Sequence, residues 1–155
     1  MAEQPRQEGA LLRFQAMPWV ASGRALLASM VVLLVCDVIG GFIGVATGAE
    51  TWGGAWGFDT ESTVPLPVGA VQLVLAWLAA RNVRPPVGRI AAVVLSAFCL
   101  LSVLAGLFDG DLIGTVASDG FLSWRVLWAV VVLLPVTAAV GLLAATRARQ
   151  LRRRP

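Results

Sequence analysis

Four runs of apolar residues, separated by short polar stretches, set the pattern of the chain. They predict transmembrane helices over about 25–48, 65–80, 90–108 and 126–146, since roughly 20 apolar residues span a hydrocarbon core. The second run is the shortest and opens with Pro65 and Pro67, where a missing N–H costs a helix little. The fourth contains Pro135, which frees the Val131 carbonyl and predicts a kink. Arg81–Arg89 is a tight connection holding two adjacent prolines, so the second and third helices are expected as antiparallel neighbours. The fold expected is an all-α membrane protein, a single four-transmembrane-helix antiparallel bundle with short outer loops.

The first run carries the most information. Asp37 lies near its middle and is followed by Gly40, Gly44 and Gly48, all on one side of a helix with Met30 and Leu33. Small residues let a second helix backbone approach closely in lipid. The glycines are therefore read as a helix-packing stripe, and that stripe must also hide Asp37. A secretory signal peptide is the rival reading of this run, but its apolar core exceeds the roughly 7–15 residues of a signal h-region.

Composition agrees with a membrane setting. The 155 residues are 58% hydrophobic, against roughly 45–50% for soluble domains. Without any His or Lys, the chain has no imidazole ligand or base and no Schiff-base lysine, so a non-enzymatic protein without cofactor or metal is expected. The net charge of +3 hides a separation. Arg6, Arg13 and Arg24, then Arg81, Arg84 and Arg89, then Arg147, Arg149, Arg152, Arg153 and Arg154 flank the apolar runs on one side. Glu50, Asp59, Glu61, Asp109, Asp111 and Asp119 fill the alternate gaps, with Arg125 as the one cation there. By the positive-inside rule both termini and the middle loop are cytoplasmic, and topology accounts for the arginines without nucleic acid. The all-Arg, Ala- and Gly-rich composition suits a bacterial plasma-membrane protein.

The flanking segments follow from this layout. Residues 1–23 mix apolar and basic positions and are expected to lie on the inner surface, while 147–155 is read as a polybasic tail against the inner leaflet. Trp52, Trp56 and Phe58 suit the outer interface, and 112–116 is a candidate short strand. Asp109, Asp111 and Asp119 are spaced unlike a calcium-binding loop and are read as a solvated acidic segment. Cys36 and Cys99 lie within apolar runs and are expected as buried free thiols.

Each other helix also has a small or polar stripe, which suggests an intramembrane polar layer of Asp37, Gln72, Ser102 and Thr137. Counted from the inner arginines, Asp37 lies about 20 Å deep and Gln72 about 14 Å, an offset of one turn. Their side chains lean toward each other, so an Asp37–Gln72 hydrogen bond is expected, with Ser102 and Thr137 as further partners. No span holds a cation for Asp37, which favours its neutral acid. An Asp at mid-membrane costs about 2.5–3.5 kcal/mol, and an interhelical hydrogen bond returns about 0.6 kcal/mol. Two functions follow as expectations. One is an assembly or accessory subunit, packing its glycine stripe within its own bundle, against a membrane-protein partner or in a homo-oligomer. The other is proton-linked transport of a small solute using Asp37.

Overall fold

The computed structural model describes residues 23–58, 60, 64–81, 85–108, 116–117 and 123–152. These are helical apart from turns and short links. The helices are α1 (Gly23–Ala46), α2 (Leu66–Ala80), α3 (Pro85–Phe108) and α4 (Trp124–Arg152). α1, α3 and α4 are long and apolar enough to cross a membrane, and α2 is a shorter apolar helix, as in a helical membrane protein.

Local chemistry sets the helix ends. Past Ala46 the chain turns at Gly48, whose φ of 74° is in the left-handed region. The Ala49 N–H donates to the Gly44 carbonyl and the Gly48 N–H to the Val45 carbonyl, the paired bonds of a glycine-terminated helix. Gly48 is thus exposed beyond the helix, with nothing near a would-be Cβ. The expectation that it belongs to the packing stripe is corrected: it caps α1. α2 starts after Pro65, with proline in its first turn. α4 starts at Ser123, whose Oγ accepts from the Val126 N–H at 3.3 Å.

α4 contains a π-helical stretch, Trp128–Leu133, between two α-helical pieces, Trp124–Leu127 and Leu134–Arg152. The Leu134 N–H donates to the Ala129 carbonyl, five residues back. The next residue, Pro135, has no N–H to continue either ladder. The proline expected to disturb this helix is thus preceded by a wider helical register, a feature frequent at functional sites.

Glycines fix how the helices pair. A Cβ built on Gly23 would lie 2.6 Å from the Ala80 carbonyl oxygen, and one on Gly69 would lie 2.8 Å from a Leu34 methyl. Both pairs define one antiparallel register between α1 and α2. α3 and α4 are set likewise: Gly141 faces Cys99 Cβ at 3.0 Å, Gly106 a Leu134 methyl at 3.2 Å and Gly88 a Leu151 methyl at 3.3 Å. Neighbours in the chain pack on one another, and α4 closes back on α1. The core enclosed by the four helices includes Leu26, Met30, Leu33, Ala76, Leu95, Cys99, Val140 and Ala144. Val31, Val35, Val74, Leu100, Leu101 and Leu142 face outward, the branched surface that lipid covers.

The end of the bundle carrying Gly23 and Ala80 is locked by Arg147. Its side chain is 5% exposed, and its Nε donates to the Ala79 carbonyl at 3.1 Å. A cation there also meets the negative end of the α2 dipole. Within the segment read as a polybasic tail, α4 continues to Arg152, with Arg147 and Leu151 buried and Arg149 and Arg152 exposed. Residues 1–22 and 153–155, Asp109, Asp111 and Asp119 lie outside the described residues, as does the candidate strand at 112–116 apart from Val116, which is helical.

Candidate functional site

Asp37 is the centre of the site. It sits on the buried face of α1 with Met30, Leu33, Gly40, Gly41 and Gly44, and only 2% of it is exposed. The chain's own interior shields it. Gly40 and Gly44 are covered by the same chain, so this part of the glycine stripe packs within the molecule.

The partner expected for Asp37 does not reach it. Gln72 is as deeply buried, at 1% exposed, yet among the described residues neither of its amide atoms nor either Asp37 oxygen has a hydrogen-bond partner. Register supplies the reason. The Gly23–Ala80 and Gly69–Leu34 contacts place Asp37 level with Leu66 and Gln72 level with Val31. The separation is six residues, about 9 Å along the helices, rather than one turn. Counting from the arginines misjudged it because Arg24 and Arg81 do not mark equal depths.

Asp37 therefore faces the beginning of α2 and the loop before it. The Val64 backbone N–H is directed toward the carboxyl without meeting hydrogen-bond geometry. One turn further along α1, the indole of Trp56 closes on Gly41: a Cβ there would meet Nε1 and lie 2.7 Å from Cε2. The Trp56 Nε1–H is buried and has no acceptor among the described residues. The turn that delivers Trp56 is closed by the Ala55 N–H on the Thr51 carbonyl at 2.9 Å. Trp56 is braced by edge contacts with Phe42 and a tilted contact with Trp52. Its carbonyl accepts the Leu66 N–H at 3.1 Å, so one residue joins the cover to the start of α2. Trp52 and Phe58 stay exposed, as interfacial aromatics do.

α4 reaches the same place from the other side. The Trp128 Nε1–H donates to the Cys36 carbonyl at 3.2 Å, joining the first π-helical residue to the peptide unit beside Asp37. Thr137 is buried and Ser102 half-buried. The α3–α4 register places Ser102 level with Ala138, beside Thr137, so these two share a layer, while no hydrogen bond links either to Asp37. Cys99 is in the core against Gly141, Cys36 is half-buried, and both are free thiols.

The roles of Trp56, Val64, Trp128 and Arg147 are absent from a reading of the sequence. Gly41 beside Gly40 was the one available signal for Trp56, because a second small residue opens the adjacent strip of α1 to a flat ring. Arg147 looked like any juxtamembrane cation. Among the described residues, no group of three His, Cys, Asp or Glu side chains is placed to hold a metal ion. The arrangement is a secluded carboxyl with peptide and indole N–H groups beside it and a primary amide two turns away. Such a group can take up and release a proton. Comparison with known protein families, curated proteins and solved structures finds no match for this chain.

Proposed function

We propose that the chain is a four-span protein of a bacterial plasma membrane with both termini cytoplasmic, and that Asp37 is a proton-binding centre linked to movement of a small solute. The carrying observation is that Asp37 is almost wholly enclosed, yet neither of its carboxyl oxygens has a hydrogen-bond partner among the described residues. A carboxyl serving as structural glue returns part of its insertion cost through bonds. Among the described residues Asp37 has no such bond, and intramembrane acids mark proton pathways. Trp128 supplies a mechanical link, since a change of register in the π-helical stretch would move the donor held on the Cys36 carbonyl. α2 measures about 22 Å, short of a 30 Å core, and the Trp56 turn at its start extends that crossing. Topology draws support from Gly23 against Ala80, Gly88 against Leu151 and Arg147 on Ala79, which gather the arginines of three segments at one end.

The assembly reading is second. Its glycine stripe is covered by the chain itself, so a partner would have to meet the branched outer faces. Reconstitution separates the two. In liposomes carrying a pH-sensitive dye, an imposed pH gradient should decay faster with the protein than without it when candidate solutes are supplied, and Asp37→Asn should return decay to the protein-free rate. Unchanged decay in Asp37→Asn would remove the transport reading. A complex recovered from native membranes equally by Asp37→Asn and the parent would favour assembly.

A further inference from the structure

We infer that the arginine-bearing end of the bundle holds one anionic phospholipid, its acyl chain lying along α3 and its phosphate at Arg89. A groove of about 310 Å³ runs along one face of α3, lined by Pro86, Arg89, Ile90, Val93 and Val94. Its apolar wall lies on the mid-membrane side and its cation at the helix start, the order in which a phospholipid presents tail and phosphate.

The neighbouring helix adds charge at the same depth. The contacts of Gly88 with Leu151, Gly141 with Cys99 and Gly106 with Leu134 set Arg149 level with Ala91 and Arg152 level with Gly88. Arg89, Arg149 and Arg152 are all exposed, whereas Arg147 is turned inward onto Ala79. Three outward guanidinium groups thus occupy one layer on two packed helices. Guanidinium binds phosphate oxygens in a two-pronged fashion, and basic pockets beside transmembrane helices on the cytoplasmic side take anionic headgroups. A zwitterionic lipid fits the same wall but adds a cationic headgroup to this layer, so phosphatidylglycerol is the occupant selected.

The site rests on the membrane reading and not on proton binding at Asp37. Its test is native mass spectrometry of the full chain released from a nonionic detergent, with phosphatidylglycerol or phosphatidylcholine of the same acyl chains added. The expected result is one retained phosphatidylglycerol at lipid levels where phosphatidylcholine is lost. R89Q should weaken retention about fivefold and R89Q/R149Q/R152Q about a hundredfold, at roughly fivefold per arginine near an anionic group. V93W, which keeps every charge and fills the groove, should also lose the lipid. Equal retention of both lipids, or R89Q and V93W both binding like the parent, would overturn the proposal. Because the experiment is made in detergent without a proton gradient, its failure leaves the Asp37 reading standing.

Discussion

Replacing Gln72 with Leu should make the protein more stable, although it removes a polar residue from the layer predicted to hold the bundle together. Both amide atoms of Gln72 are buried without a partner among the described residues, and a buried unsatisfied polar group costs about 1–3 kcal/mol. Leu has similar bulk and no polar atom. Part of the gain is lost because the unfolded chain in a micelle also satisfies its amide poorly, leaving an expected increase of about 1–2 kcal/mol. Reversible unfolding in mixed micelles of increasing SDS content measures it. A double-mutant cycle with Asp37→Asn sharpens the result, because the six-residue offset between the two side chains predicts additivity to within about 0.3–0.5 kcal/mol. A less stable Gln72→Leu protein, together with a coupling of about 1 kcal/mol or more, would show that the two side chains do bond. Asp37 and Gln72 would then lie closer along the helices than six residues.

Other consequences are as direct. Gly41→Ala places a Cβ against the Trp56 ring and should cost about 1–3 kcal/mol by overpacking, with a red shift of tryptophan emission as the indole leaves its site; unchanged emission would contradict the packing. Gly48→Ala forces a side chain into a left-handed conformation and should cost about 1–2 kcal/mol, measured by the same unfolding assay. Arg147→Gln loses a bond from a charged donor to the Ala79 carbonyl and should cost about 1.5–3 kcal/mol, whereas the exposed Arg149→Gln should stay within about 0.5 kcal/mol. Trp128→Phe removes the bond to the Cys36 carbonyl and should speed hydrogen exchange of the α1 amides around Asp37, which an unchanged exchange pattern would refute.

Hydropathy made the helices legible because each apolar run is long and bounded by polar residues: Pro65 opens α2 as expected, whereas α3 begins at Pro85–Pro86, inside the connection expected to run to Arg89. Burial of Asp37, Gln72 and Thr137 could also be read, since each lies on the small-residue face of its helix. Pairing between those faces could not. It depends on axial register, which comes from contacts such as Gly69 on Leu34 and not from distance to the nearest arginine. The π-helical stretch was hidden for a related reason. Pro135 signals a disturbed helix, but widening and kinking are alternative responses to the same missing N–H, and packing selects between them. Arg147 and Arg149 are the same residue type two positions apart, and only their angle around α4 makes one a buried donor and leaves the other exposed.

The account rests most heavily on Asp37 exchanging a proton while enclosed by its own chain. Infrared difference spectroscopy of the reconstituted protein, with aspartate carbons isotopically labelled, observes this directly. The account predicts a carboxylic-acid carbonyl band that shifts with the label, disappears in Asp37→Asn and changes intensity as the bulk pH is stepped. A spectrum with no such band, or a band that is indifferent to pH, would contradict it.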